Sequence, residues 1–250
     1  MKVAVSGKGG VGKTTFAAGL GRAWQRAGRR VLCVDADPDS NLAGTLGHRG
    51  PEPAPLAEWK KLVEERVGAQ GGWGGFLKMN PRVDDIPERL SVDVGGIRVL
   101  RMGHIERGRR GCACPENVLL REVLHHLLLL DDEHVVVDME AGVEHLGRGT
   151  AEAVDAMIVV VEPGWAALAT AERVAKLARE LGIRRIEAVA NKVSSAEDSA
   201  FVREHLGGLT LLGALPFDRG LEAEARDGTL AADRPYHREL ERIALALEQS

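Results

Sequence analysis

The stretch Gly7-Lys8-Gly9-Gly10-Val11-Gly12-Lys13-Thr14-Thr15 follows a short apolar run and opens a helix-like segment near Lys13–Ala27. It satisfies two glycine patterns: G-x-G-x-x-G, typical of dinucleotide-binding turns, and G-x-x-x-x-G-K-[ST], the phosphate-binding P-loop. Lys13 and Thr14 decide between them, because a nucleoside triphosphate needs a cation for its phosphates and a hydroxyl for Mg²⁺. The sequence therefore predicts a nucleotide site with Thr14 on Mg²⁺, and its expected contacts are Gly9, Gly10, Val11, Gly12, Lys13, Thr14 and Thr15.

Short apolar runs alternate with amphipathic segments along the rest of the chain, which indicates an α/β fold. Several runs are apolar throughout, as in strands buried on both faces of a sheet. We therefore expect a mostly parallel sheet of about seven strands flanked by helices on both faces, the P-loop NTPase fold. The expected strands are Val3–Ser6, Val31–Asp35, Ile97–Met102, His134–Asp138, Ala156–Val161, Ile186–Asn191 and Leu209–Leu215.

The segment from about residue 48 to residue 96 breaks this alternation. It contains three prolines between positions 51 and 55 and the run Gly71-Gly72-Trp73-Gly74-Gly75. A helix is expected over Leu56–Val67, and the remainder is predicted to be a long, partly mobile insertion. The prediction is one domain, residues 1–250, that carries this insertion.

Composition excludes several classes of protein. Hydrophobic residues make up 44% and charged residues 28%, and the net charge is −4, so a general nucleic-acid binder is not expected. No apolar run approaches the roughly 18 residues that a transmembrane helix needs. The chain begins Met1-Lys2-Val3 and reaches the glycine cluster at once, without the apolar stretch of a signal peptide. We expect a cytoplasmic protein with reduced thiols and no membrane attachment.

Acidic residues end two of the expected strands and should lie beside the P-loop, since carboxyl ends of parallel strands share one edge. Val135-Val136-Val137-Asp138 has the Walker B form, in which Asp138 holds Mg²⁺ through water. Asp35 and Asp37 end the second strand, and Asp35 is expected to support either the Mg²⁺ shell or the fold. Asp39 and Ser40 are equally well explained as caps of a helix over Asn41–Leu46.

Cys112-Ala113-Cys114 is a candidate metal site. Residues i and i+2 of an extended segment point the same way, so both sulfurs can meet one ion. Two thiolates do not complete a soft-metal site, but a twofold dimer would supply four. An incidental core position, a strained disulfide and an iron–sulfur cluster stay open as alternatives. Cys33, inside an apolar run, is predicted to be a buried core residue.

The spelling Lys8-Gly9-Gly10-Val11-Gly12-Lys13-Thr14 resembles the deviant Walker A group of dimeric ATPases, which includes MinD, ParA and the nitrogenase iron protein. This resemblance implies that Lys8 reaches the nucleotide of the partner chain. It also implies that Asp37 orients or deprotonates the attacking water and that Asn191 hydrogen-bonds adenine. The segment Leu215-Pro216-Phe217-Asp218 resembles the one that packs on the base, which makes Pro216 a nucleotide contact.

A narrower resemblance, to the CooC family of nickel-insertion ATPases, runs from the first strand to about Val193. It rests on the P-loop, on Asp35-Ala36-Asp37-Pro38-Asp39-Ser40, and on the segments Lys78–Pro87, Cys112–Asn117 and Asp138–Gly149. The resemblance implies an ATP-driven homodimer that binds one Ni²⁺, or Zn²⁺, through Cys112 and Cys114 of both chains. It also implies that carbon monoxide dehydrogenase is the acceptor.

Two other functions compete with nickel insertion. A positioning ATPase like MinD or ParA would dock on membrane or DNA, but the expected C-terminal helix, Tyr236–Ser250, has a slightly acidic polar face. An electron-transfer or scaffold ATPase like the nitrogenase iron protein would hold an iron–sulfur cluster. That family divides its cluster cysteines between distant loops, whereas both lie in one loop here.

Overall fold

The computed structural model describes residues 1–37, 39, 41–68, 78–103, 115–129, 132–143, 146, 148–221, 223 and 234–249. In these residues one sheet has the strand order β3-β4-β2-β5-β1-β6-β7-β8. All neighbouring strands are parallel except β3 and β4. The strands are β1 (Lys2–Gly7), β2 (Val31–Ala36), β3 (Val92–Asp93), β4 (Arg98–Arg101), β5 (His134–Met139), β6 (Ala156–Val161), β7 (Ile186–Val193) and β8 (Thr210–Pro216).

The predicted mostly parallel α/β sheet is confirmed, and its strand number is eight rather than about seven. The additional strand, β3, is two residues long and antiparallel, which is too short to leave a pattern in the sequence. Every residue of β1, β2 and β6 is buried, as expected for strands covered by helices on both faces.

Helices connect the strands, and those predicted near Lys13–Ala27 and over Tyr236–Ser250 lie close to their expected positions. The C-terminal helix packs against the helix that follows the P-loop and against β8, and the Trp24 indole N–H donates to the carbonyl of Ala244 at 3.4 Å. No helix among the described residues is both long and apolar enough to cross a membrane. The helices are α1 (Lys13–Arg26), α2 (Leu42–Thr45), α3 (Lys60–Val67), α4 (Ile86–Leu90), α5 (Pro115–Leu129), α6 (Arg148–Glu152), α7 (Trp165–Glu180), α8 (Ala196–His205) and α9 (Pro235–Gln249).

The described part of the predicted insertion packs into the same hydrophobic core as the sheet. The helix expected over Leu56–Val67 is a 3₁₀ turn at Leu56–Glu58 followed, after Trp59, by α3. α3 packs against α5, and the side chains of Leu56, Val67 and Ile86 are buried. α4 and β3 were not predicted, because a five-residue helix and a two-residue strand carry no readable period. Residues 69–77 lie outside the described residues.

Candidate nucleotide site

The glycine-rich loop joins the end of β1 to the start of α1, as the P-loop pattern predicts. Gly10 and Gly12 have φ values of 82° and 94°, in the left-handed region that glycine adopts most easily. A Cβ atom on Gly12 would collide with the side-chain amide of Asn191, so two independent features require glycine there. Gly9 and Gly10 are exposed, Lys8 is half-buried and Val11 is buried.

Lys13 and Asp37 face each other beside this loop. The Lys13 ammonium lies 4.0 Å from an Asp37 carboxylate oxygen, and Lys13 is only 7% exposed although it carries a charge. The other carboxylate oxygen of Asp37 accepts the N–H of Asp39 at 3.0 Å. Asp39 is exposed, and Asn41 rather than Asp39 occupies the N-cap position of α2. The cap interpretation of Asp39 is therefore wrong, and Ser40 lies outside the described residues.

Asp35 supports the fold, which was one of its two predicted roles. One carboxylate oxygen accepts the N–H of Leu42 at 2.9 Å, at the start of α2, and the other accepts the N–H of Asp37 at 3.3 Å. These two hydrogen bonds therefore hold the backbone that follows β2, including Asp37, in a fixed position. Asp35 thus acts as a capping residue for α2 although it lies seven positions before Leu42, because its carboxylate accepts a backbone N–H of the first helical turn.

Asp138 is fully buried near the end of β5, directly opposite Asp35 in the pairing of β2 with β5. Burial raises the pKa of the Asp138 carboxyl to about 7; the charges of Asp35 and Asp37 raise it too, while the Thr14 hydroxyl and Lys13 lower it. Among the described residues, neither Asp138 oxygen has a hydrogen bond of good geometry. The buried carboxylate of Asp138 and the hydroxyl of Thr14 beside it are oxygen ligands of the kind that Mg²⁺ prefers, so these residues fit a Mg²⁺ site.

A cavity of about 260 Å³ opens beside the loop and has a mainly apolar lining. Asn191 and Pro216, both predicted to contact the base, line this cavity together with Phe217 and Asp218. The Asn191 amide donates to the carbonyl of Val11 at 2.8 Å. The size and apolar walls suit a planar base, with polar groups at the edge.

Other residues that line this cavity were not predicted from the sequence, among them Lys192, Tyr236 and His237. The spacing of apolar residues in α9 predicts that one face of this helix packs on the core, but it does not predict which strands, helices or cavity that face contacts. The one feature of the sequence that could have indicated Lys192 as a cavity residue is that it directly follows Asn191.

The cysteine loop lies outside the described residues, since these do not include 104–114. The predictions for Cys112 and Cys114 therefore stay predictions. α5 begins at Pro115, directly after this loop. Where the chain is described, no group of three His, Cys, Asp or Glu side chains could hold a metal ion. Cys33 is a buried free thiol, as predicted, and burial raises its pKa to about 12.

Comparison with known proteins agrees with this geometry. The family model of the CobQ/CobB/MinD/ParA nucleotide binding domain matches residues 2–230. The chain belongs to this family. The MinD/ParA resemblance drawn from the P-loop is thus confirmed, and the protein is an ATPase of the MinD/ParA family.

Two relatives of this MinD/ParA-family ATPase match nearly end to end. The carbon monoxide dehydrogenase accessory protein CooC of Rhodospirillum rubrum is 45% identical over 93% of this chain and 90% of its own length. An uncharacterized ATP-binding protein of Methanocaldococcus jannaschii is 42% identical over 97% of this chain and 96% of its own. The resemblance to CooC is thus confirmed over 93% of the chain, more than the stretch to about Val193 that was expected.

Solved structures show the same fold at lower identity. MinD of Aquifex aeolicus has a TM-score of 0.71 at 21% identity, covering 99% of this chain and 97% of its own. MinD of Pyrococcus horikoshii, solved with Mg-ADP, has a TM-score of 0.70 at 19% identity, covering 99% and 95%.

Proposed function

We propose that this ATPase is an ATP-dependent metallochaperone that dimerises with ATP, binds nickel at a shared Cys-Ala-Cys site and assists nickel insertion into carbon monoxide dehydrogenase. The observation that carries the proposal is the 45% identity to CooC over 93% of the chain. The name of that relative identifies it as an accessory protein of carbon monoxide dehydrogenase.

The residues around the P-loop support a division of work in ATP hydrolysis. The buried Lys13 ammonium would stabilise the phosphate charge, and Asp37, 4.0 Å away, would accept the proton of the attacking water. Lys8 of the partner chain would add a second cation to the same phosphates.

Thr14 and Asp138 would hold Mg²⁺, which when bound neutralises charge on the triphosphate. Asn191 and Pro216 would contact adenine.

The metal cargo requires a second chain. Cys112 and Cys114 supply two thiolates, and the two copies of this loop across a twofold axis supply the four of a closed site. The loop leads directly into α5, and α5 leads to β5 and Asp138. In the sequence, Cys112 and Cys114 precede α5 and Asp138 lies in the strand after it, so we infer that a change at the nucleotide could reach the metal through this segment.

Nickel binding tests the proposal directly. We expect equilibrium dialysis to give one Ni²⁺ for two chains, and Cys112→Ser or Cys114→Ser to abolish tight binding. Cys33→Ala is the matched control, because Cys33 is buried within β2 and should not affect binding. One nickel per chain, or binding that survives loss of both loop cysteines, would contradict the shared site. A brown protein with labile sulfide would favour the iron–sulfur alternative instead.

A further inference from the structure

The backbone of Lys192 adopts an unusual conformation. Its φ is 58°, and no other non-glycine residue in the described ranges has a positive φ. A side chain in this left-handed region crowds the neighbouring carbonyl, so such residues persist where surrounding contacts hold them, often at functional sites. Glycine would adopt the conformation more easily, yet the sequence has lysine.

The Lys192 side chain makes two polar contacts. Its ammonium donates to the Gly10 carbonyl at 2.5 Å and lies 3.2 Å from a carboxylate oxygen of Glu162, the residue after β6. An ammonium has three donors, so it serves both oxygens at once. Lys192 therefore connects the carboxyl ends of β6 and β7 to the P-loop.

Asn191 and Lys192 hold two successive carbonyls of the loop, those of Val11 and Gly10. Successive side chains of a regular strand point to opposite faces, so both could not reach the same loop from a regular β7. The pairing of β7 with β8 is irregular between Ala190 and Val193, where Lys192 is left-handed. The unusual φ is what allows two neighbouring side chains to contact the same loop.

The hydrogen bonds from Asn191 and Lys192 determine the direction of the backbone N–H groups of the P-loop. In a trans peptide the C=O and the following N–H lie on opposite sides. With the Gly10 and Val11 carbonyls directed at β7, the N–H groups of Val11 and Gly12 point away from β7. The Val11 N–H accordingly donates within the loop, to the carbonyl of Lys8, over a long N···O distance of 3.4 Å, a bond that a phosphate oxygen would replace. Backbone N–H groups of a P-loop are the donors that cradle phosphates.

We propose that Lys192 is a positioning residue for ATP: its ammonium fixes the Gly10–Val11 peptide in the phosphate-binding orientation before the nucleotide arrives. Lys192 acts through the loop backbone rather than on the reacting atoms. The proposal depends on ATP binding and not on nickel, so failure of the metallochaperone proposal would leave it intact.

The test compares Lys192→Met, Lys192→Gly and Lys192→Arg with Lys176→Met, which removes an exposed lysine of α7. The dissociation constant of a non-hydrolysable ATP analogue, kcat for ATP, and the melting temperature without nucleotide are measured for each. We expect Lys192→Met and Lys192→Gly to weaken analogue binding about tenfold, as loss of a charged hydrogen bond does. Lys192→Arg should keep most of the affinity, and Lys176→Met should match the parent.

The glycine variant separates positioning from a merely structural role. Because glycine relieves the left-handed strain, Lys192→Gly should melt no lower than the parent without nucleotide and still bind the analogue weakly, with kcat affected less than affinity. Analogue binding within twofold of the parent in both variants would overturn the proposal. So would a loss of affinity confined to variants that also melt at a lower temperature without nucleotide.

Discussion

The ammonium of Lys13 lies 4.0 Å from the carboxylate of Asp37 at the edge of the sheet, and the side chains of both residues are mostly buried. At this separation the two charged groups attract each other directly, so a phosphate oxygen on Lys13 and a water molecule on Asp37 would bind beside the pair. Asp37 is held there by its own neighbours, because Asp35 accepts its N–H and Asp37 accepts the N–H of Asp39.

Replacement of Asp37 by asparagine should stop hydrolysis without stopping ATP binding. Asparagine keeps the shape and can still accept the Asp39 N–H, but it cannot take the proton of water. We expect kcat to fall by about 100-fold or more, the usual contribution of a positioned acceptor. Asp39→Asn is the control, since Asp39 is exposed and should lose less than about threefold. Comparable losses of kcat in both variants, measured by phosphate release, would argue against the role of Asp37.

Replacement of Lys8 by alanine should weaken the ATP-bound dimer. If each triphosphate contacts Lys13 of its own chain and Lys8 of the partner, ATP binds the dimer better than the monomer and favours association by mass action. In an Asp37→Asn background, ATP and Mg²⁺ should give a dimer in sedimentation velocity, and adding Lys8→Ala should shift it towards monomer. Identical sedimentation of both proteins with and without ATP would exclude contact in trans.

Nickel affinity should depend on which nucleotide is bound. If loss of the γ-phosphate loosens the dimer, the four-thiolate site separates into halves that bind Ni²⁺ far more weakly. Nickel titration should therefore show tighter binding with a non-hydrolysable ATP analogue than with ADP. By linkage, nickel should tighten the analogue-bound dimer by the same factor. Equal nickel affinity in the two states would mean that the nucleotide does not drive metal release.

A route for this coupling begins next to β1. The Ser6 hydroxyl accepts the N–H of Gly142 at 3.2 Å and also lies 3.1 Å from the carbonyl of Glu140. Residues 140 and 142 lie two and four positions after Asp138, so the strand that leads into the P-loop is in contact with the segment that follows Asp138. Segments ordered by a γ-phosphate are common elements of nucleotide switches.

Stability should fall in mild acid through His134, at the opposite end of the sheet. Burial lowers the pKa of His134 below its ordinary value of 6.5, helped by the N-terminal amino charge and opposed by Glu248, 2.7 Å away. His134 in the unfolded chain then binds a proton more readily than in the folded one, so its contribution to the free energy of unfolding decreases as pH falls below about 6.5. Asp138, whose pKa is raised to about 7, contributes in the opposite direction, and the His134 contribution is therefore read from the difference between variant and parent. His134→Asn should lose less stability than the parent between pH 7.5 and 5.5 in guanidinium unfolding. Equal losses would contradict this.

Much of the fold was predictable because its signals are local. Val135-Val136-Val137 reads as a strand buried on both faces, and the P-loop spelling places a strand before it and a helix after it. β3 and α4 were not predictable, since they depend on pairing and packing with distant residues. The bounds of α3 also differed from prediction, because Trp59 interrupts the helix after a 3₁₀ turn.

The candidate site was predictable where chemistry is tied to a motif, as for Lys13 and Asp138. It was not predictable where it depends on backbone angles or on helix docking. The sequence around Asp35 does not distinguish support of the Mg²⁺ shell from support of the fold, and the hydrogen bond from the Leu42 N–H shows the second role. Neither the composition nor the spacing of apolar residues indicates that Lys192 has a left-handed φ. The same holds for the position of Tyr236 in the lining of the cavity beside the loop.

The bond from Asn191 to the Val11 carbonyl spans 180 positions of the chain. The glycine loop is synthesised long before Asn191 and Lys192, the two residues that donate to its carbonyls. During translation, domains form from the N-terminal end as the chain emerges. A nascent chain that stops before β7 therefore carries the whole glycine motif without the contacts that orient it. Synthesis of this ATPase thus completes its phosphate loop late, when most of the sheet has already been made.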